Sequence, residues 1–247
     1  MGYVVLHLEK AKGTDSAMSS HIERTVKPKN ADETKTHLNR ELIEFPDGVE
    51  NRTQAIQCRL DNAKLNRKIA NNQVRAVRIL LSGSPEDMKQ IEDNGRIDEW
   101  CNDNLDWLKD TYGKENLVSA VLHLDETTPH IHATVIPIVT GKSRKAKQKE
   151  QEQKPTGKKK YKTKDPNATR LCVDDVMTRV KLKEYQDTYA EKMQVYGLER
   201  GLDGSEARHI SQPQYYRELY QKNKTMQEDI TLLLQQKEAE QIKLEEL

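Results

Sequence analysis

Aromatic residues are scarce in this 247-residue chain, at 5% with a single Phe, while 33% of residues are charged. A chain this polar is expected to place only part of its length in a packed core: one sizeable domain plus an appendage, or two small domains. Cysteines are few and scattered. Cys58, Cys101 and Cys172 form no CxxC pair, which argues against a disulfide scaffold or a thiolate zinc site and fits a reducing, cytoplasmic setting. No stretch of ~18 apolar residues is present to span a bilayer, and the apolar run at the N-terminus is too short for a secretory signal. Glycine-rich phosphate loops, serine nucleophile elbows and paired glycosidase carboxylates are missing too.

The charge that is present is unevenly placed. The net charge of the whole chain is only +1, yet Lys142 to Lys164 holds eleven Lys or Arg against Glu150 and Glu152. That segment is therefore +9 and everything else is −8. Having almost nothing apolar to bury, it is expected to be a mobile basic loop. A solvated excursion or a nuclear targeting signal would share this composition; its place after a histidine-bearing strand favours an arm that contacts phosphates.

Strands are expected at Tyr3 to Leu8, Ala76 to Leu81, Val118 to Leu124 and His130 to Ile138, where β-branched and apolar residues concentrate. Helices are expected from about Arg52 to Asn71, in one or two pieces from Ser84-Pro85-Glu86 to Gly113, and from Asp174 to Tyr196 closed by Gly197. Asn30 to Asn39 reads as irregular and Gly201 to Pro213 as turn-rich. Trp100 and Trp107 fall in a helical apolar stripe and are expected to anchor a core rather than stack bases. Tyr216, Leu219, Asn223, Met226, Ile230, Leu233, Lys237, Glu240, Leu244 and Leu247 step by three and four, the spacing of a heptad seam. Such a helix can pack on its own domain or take a partner. Its pattern runs to the last residue, which leaves open a natural chain longer than 247 residues.

The densest chemistry lies in His123-Leu124-Asp125-Glu126-Thr127-Thr128-Pro129-His130-Ile131-His132, which holds three of the chain's seven histidines. Thr127-Thr128-Pro129 breaks the apolar run, so two strands and a turn are expected. Side chains alternate along a strand, so His130 and His132 share one face while Ile131 and Ala133 enter an apolar layer. His123 adds a third imidazole from across the turn, and Glu126 can approach from the turn itself. Three His with an open side describe a catalytic metal site rather than a closed structural one. Such a metal can polarise a phosphate, and a nucleophile is then required. One candidate is His21, with Arg24 placed to clamp the phosphate. The other is the pair Tyr185 and Tyr189, one helical turn apart.

The His-hydrophobe-His strand resembles the HUH endonucleases, and the chain as a whole is similar to the MobV family of plasmid mobilisation relaxases, also called plasmid recombination or Pre/Mob proteins. The similarity rests on His21-x-x-Arg24, then Thr36-His37-Leu38-Asn39-Arg40-Glu41-Leu42, then His123-x-Asp125-Glu126-x-x-Pro129-His130-x-His132. Glu199-Arg200-Gly201 and Ser205-Glu206-Ala207-Arg208-His209 resemble the family's end-of-domain stretch, so the likeness covers about residues 1 to 210. It implies an α+β fold with a central antiparallel β-sheet and helices largely on one face, followed by a helix over 211–247. It also implies a bacterial enzyme that nicks one strand at a transfer origin by transesterification. His21 would form a phosphoramidate with the 5′ end and later allow rejoining. In that reading His123, His130 and His132 hold Mn²⁺ or Mg²⁺; Glu126 is base, orienting partner or fourth ligand; and Arg24 neutralises phosphate charge. His37 and Asn39 orient the site or touch DNA. Lys142, Arg144, Lys145, Lys158, Lys159 and Lys160 would grip the backbone of a single strand beside a hairpin, with salt-dependent affinity. The C-terminal helix would serve a homodimer or an accessory mobilisation protein. Two rivals are a rolling-circle replication initiator using Tyr185 or Tyr189, and a noncatalytic DNA-binding and assembly module.

Overall fold

The computed structural model describes residues 2–141, 168–202 and 212–245. The chain divides into two compact units, Met1–Gly201 and Leu202–Leu247. The first is built on a six-stranded sheet. Its strands are β1 (Gly2–Lys12), β2 (Arg40–Glu41), β3 (Val74–Gly83), β4 (Leu117–His123), β5 (His130–Val135) and β8 (Leu198–Glu199), in the order β2-β4-β5-β3-β1-β8. Pairing is antiparallel throughout except for β1 with β8, which run parallel, so the α+β expectation holds with a mixed rather than purely antiparallel sheet. Two further strands, β6 (Ile138–Thr140) and β7 (Thr169–Leu171), form a separate hairpin.

The alternation read from the sequence decides which face is which. On β3 and β5 the residues Val77, Ile79, Leu81, Ile131, Ala133 and Val135 are all buried in the larger core. They pack with α3 (Pro85–Asp93), α4 (Ile97–Tyr112) and α6 (Arg179–Met193), which supply Met88, Ile91, Trp100, Leu108, Tyr189 and Met193. Trp100 is fully buried and Trp107 nearly so, as the helical stripe implies. The opposite face is covered by α1 (Ser16–Ile22) and α2 (Arg52–Asn62), with a small core of Ala11, Ile56, Leu60, Ala76, Ile136 and Leu171. Helices thus cover both faces, where the resemblance implied largely one. The two-core arrangement matters because α1 lies on the face to which the even-numbered residues of β5 point.

Several boundaries differ from the sequence expectation. The helix from Arg52 stops at Asn62, and Lys64 takes a left-handed φ of 46°. Leu65 and Ile69, inside the expected helix, pack on the smaller core from irregular chain. The strand from His130 ends at Val135, before Ile136 and Pro137, because proline has no N–H for a ladder; the chain then leaves the sheet for β6. The helix expected from Asp174 is broken into α5 (Val173–Val176) and α6, since Thr178 caps α6 by accepting the Lys181 N–H at 3.1 Å. Ser84 does sit at the N-cap of α3, but its Oγ accepts the Tyr3 N–H at 2.8 Å instead of capping.

The second unit contains α7 (Gln212–Glu245), along which Leu219, Met226, Ile230 and Leu233 are exposed. The seam side chains of Tyr216, Glu240, Leu244 and Leu247, the stretch 203–211 with Ser205 to His209, and the whole basic segment with Lys142, Arg144, Lys145, Lys158, Lys159 and Lys160 lie outside the described residues. Among the described residues no helix is long and apolar enough to cross a membrane.

Candidate metal and nucleophile site

The register of β4 and β5 places His123 opposite His130 and Val121 opposite His132. All three imidazoles therefore project from the same face, with ring centroids 4.9 to 5.1 Å apart. Ligand nitrogens of the three lie within 4.8 Å of one another. Backbone carbonyls fix two of the tautomers. His123 Nε2 lies 2.9 Å from the Ile22 carbonyl and His130 Nδ1 2.9 Å from the Thr128 carbonyl. A carbonyl only accepts, so both nitrogens carry the proton and donate. The remaining nitrogens, His123 Nδ1 and His130 Nε2, face each other 3.3 Å apart. Two ligand nitrogens on one ion stand about 3.0–3.4 Å apart. Donor set and spacing both fit a divalent cation.

Electrostatics keep the ligands in their binding form. Burial, with the neighbouring His130 and Arg24, pushes His123 down to about 3. His132 is held well below its ordinary range by burial and the same neighbours. Both are neutral at pH 7, as a metal ligand must be.

His21 arrives from α1 on the covering layer. Its ring stands edge-on to His132 and His123, with centroids 5.9 and 6.5 Å apart. Burial first, then the Arg24 charge, lowers its pKa, so it carries a free lone pair near neutrality. Asn30, Arg24 and the two acids organise the surroundings. Arg24 sits just after α1 with a left-handed φ of 56°, a conformation costly for a residue with a Cβ and kept only where contacts over-determine it. They do so here: Nε and Nη2 bond both Asp125 oxygens at 2.8 and 2.7 Å, Nη2 also reaches Glu126 at 2.7 Å, and Nη1 donates to the His21 carbonyl at 2.8 Å. The expected bidentate clamp on a phosphate is thus spent on Asp125, which is fully buried and has no other cation to neutralise it in these contacts. Nη2 also lies 3.0 Å from His123 Nδ1. Its two N–H groups serve two carboxylates, which leaves the imidazole lone pair as the surplus acceptor. Burial alone would raise the Asp125 pKa, but the Arg24 bonds win and hold it well below the usual carboxylate range.

Glu126 accepts from Asn30 Nδ2 at 2.7 Å and approaches His130 Nε2 at 3.9 Å. His123, Asp125 and Glu126 form a second constellation of metal-ligand type, but both acids already receive Arg24 N–H groups, which disfavours a cation there. Asn39 Oδ1 accepts the Leu124 N–H at 2.8 Å, pinning the end of β4, whereas His37 is exposed on the preceding turn. Tyr185 and Tyr189, the alternative nucleophiles, are not at this site. Both lie in the larger core beneath the other face, their hydroxyls donating to the Val176 carbonyl at 3.0 Å and to Asn104 Oδ1 at 2.9 Å. Burial pushes Tyr185 up to about 12 and Tyr189 higher still. Their i, i+4 spacing reflects packing. Sequence reasoning named Asp125 only as part of a motif and passed over Asn30; the one available signal was Asp-Glu two residues after a candidate ligand histidine.

The model of a family described as plasmid recombination enzyme matches residues 1–217. The chain belongs to the plasmid recombination enzyme family. The resemblance to MobV proteins drawn from the three motifs is therefore borne out. Among curated family relatives, a plasmid recombination enzyme of Bacillus thuringiensis is 27% identical over 224 residues, 87% of this chain and 42% of its own length. A "65 kDa protein" of Zymomonas mobilis subsp. mobilis is 30% identical over 231 residues, 92% of this chain and 34% of its own length. The chain spans between a third and a half of the length of these relatives. Among solved structures, a Mn-bound MobM relaxase domain on plasmid pMV158 oriT DNA of 22 nucleotides, at pH 4.6, is 25% identical with a TM-score of 0.68, covering 87% of this chain and 99% of that one.

Proposed function

We propose that this member of the plasmid recombination enzyme family is a DNA relaxase that nicks one strand at a transfer origin by transesterification at His21. The observation that carries the reading is the edge-on placement of the His21 ring against a three-imidazole set whose nitrogens converge. When bound at His123, His130 and His132, Mn²⁺ or Mg²⁺ supplies positive charge to the non-bridging oxygens of the scissile phosphate. The His21 lone pair attacks phosphorus, the P–O3′ bond breaks, and the 3′ oxygen leaves, taking a proton from solvent to which the proton released by His21 is returned through Glu126. The imidazole proton passes to Glu126, whose remaining bonds to Arg24 and Asn30 hold its carboxylate in place. The product is a phosphoramidate joining His21 to the 5′ phosphate. Attack by a 3′-hydroxyl on that phosphorus reverses the step and rejoins the strand, because the ester's energy is conserved.

Arg24 acts by orienting Asp125, Glu126 and the His21 carbonyl. The relatives that share this architecture include relaxase domains bound to oriT DNA and Mn, which supports the same substrate class and metal here. The Lys and Arg of 142–164 would add salt-dependent backbone affinity. Residues 1–210 would form the nicking domain of a protein acting in the bacterial cytoplasm. The seam over 211–247 would pair with a second copy or an accessory mobilisation protein.

The test is to incubate the chain with Mn²⁺ and single-stranded oligonucleotides tiled across the replicon that encodes it, then map covalent nucleotide by peptide mass spectrometry without acid. An adduct on His21 is expected. Cleavage without any adduct would mean that water is the nucleophile, and specific binding without cleavage would make the chain an assembly module.

A further inference from the structure

His21 reaches the metal-ready face only because α1 is held there, and α1 is a helix of seven residues with two buried side chains, Ser19 and Ile22. So short a helix has little stability of its own. Its attachment is a polar network centred on Arg52, the first residue of α2, which is fully buried. One guanidinium reaches three side chains on two elements. Nη2 pairs with Asp15 Oδ2 at 2.7 Å at the start of α1; Nη1 donates to Ser19 Oγ at 2.9 Å, two residues before His21; and Nε donates to Thr134 Oγ1 at 2.7 Å on β5. Thr134 follows His132 by two residues and so shares its face. Asp15 also lies 3.6 Å from Arg78 Nη1 on β3, the strand partner of Thr134. Beyond the side chain, the Arg52 backbone N–H donates to Glu23 Oε1 at 2.6 Å just past the end of α1, and Thr53 Oγ1 shares a hydrogen bond with Ser19 Oγ at 2.9 Å.

We propose that Arg52 is a positioning residue for His21, a planar fork that fixes the gap between the helix carrying the nucleophile and the strand carrying His130 and His132. The inference deepens the nicking reading and rests on it. The same guanidinium grips the helix on one side of that gap and the strand on the other, so its geometry sets the distance across which the imidazole acts. Lysine can keep the charge beside Asp15 but not the fixed three-way fork. The sheet histidines do not depend on it in the same way, because backbone ladders of β4 with β5 and β3 with β5 hold them. Mispositioning a reactive group by about 1 Å can cost ~100-fold in rate.

The experiment uses the full chain with Arg52→Lys and, as a milder break that leaves every buried charge paired, Ser19→Ala. Adduct formation on an oligonucleotide that the wild-type chain cleaves would be followed at temperatures well below unfolding. Mn²⁺ binding would be measured by electron paramagnetic resonance. Ring signals of ¹⁵N-histidine-labelled protein would be recorded without DNA. The expected result for Arg52→Lys is a kcat about 10- to 100-fold lower, KM and Mn²⁺ affinity within about threefold, and shifted or broadened signals for the His21 ring alone; Ser19→Ala should show the same pattern more weakly. An unchanged kcat per folded molecule and an unchanged His21 signal would overturn the proposal. Parallel loss of Mn²⁺ affinity would also overturn it, by showing general disruption of the sheet. If the wild-type chain forms no adduct, the nicking reading fails while the His21 ring signals still decide whether Arg52 holds that helix in place.

Discussion

Replacing Asp125 with Asn probes the joint that fastens the His21 segment to the histidine turn. Asp125 and Arg24 have side-chain exposures of 0% and 7%, so their pairing is little screened by solvent. Breaking a buried ion pair by removing one partner typically costs 3–5 kcal/mol. Here Glu126 remains on Arg24 Nη2 at 2.7 Å, which lowers the expectation to about 2–4 kcal/mol, or roughly 6–12 °C in Tm for a unit of this size. The substitution also turns an amide N–H toward the guanidinium and removes the acceptor from Thr36 Oγ1 at 3.2 Å. The pH dependence carries a definite sign. Because the folded-state pKa of Asp125 lies below its ordinary value of 3.8, its contribution is fully present well above that value and is lost as pH falls toward the folded pKa. The difference between wild type and Asp125→Asn in thermal unfolding should therefore be full at pH 6–8 and narrow progressively once pH falls below about 4. A difference under about 2 °C at pH 7, or one independent of pH, would refute the view that this pair fastens the site.

His132→Ala should abolish tight Mn²⁺ binding while moving Tm of the metal-free chain little, since the ring lines the site and not the core; calorimetric titration with Mn²⁺ checks this. Cys101 is 3% exposed and burial pushes its thiol up to about 12, so a disulfide thiol reagent at pH 8 should modify the half-buried Cys58 and Cys172 and spare Cys101 until the chain unfolds. Tyr189→Phe removes a hydroxyl that serves only Asn104 Oδ1 among the described contacts; about 1–2 kcal/mol of stability should be lost in urea titration, with adduct yield on DNA unaffected.

The local pattern carried much of this architecture. Period-two alternation in His130-Ile131-His132-Ala133 was enough to assign the core face of that strand, because a one-residue slip would expose Ile131 and Ala133 and bury the histidines in apolar surroundings. The stripe containing Trp100 and Leu108 placed α4 for the same reason, with a period near 3.6. The three candidate ligand imidazoles were legible because they are neighbours in sequence and a hairpin is a local structure. What stayed hidden was set by contacts between distant segments. Leu65 and Ile69 fell inside an expected helix yet pack from irregular chain, and Tyr185 and Tyr189 looked like paired phenols until the sheet closed over them. Arg24 could be matched to a motif but not assigned its partners. Its fork meets Asp125, about a hundred residues away, through a backbone conformation that local propensity disfavours. Arg52 carried no signal at all, since a buried arginine and a surface one look alike in sequence. The sequence by itself determined which residues could bind a cation and which faces had to be buried, because periodicity and donor chemistry are local properties. Only the tertiary structure decided that α1 lies over the histidine face with His21 beside it, because that placement rests on buried, long-range ion pairs whose energy depends on geometry that no single segment contains.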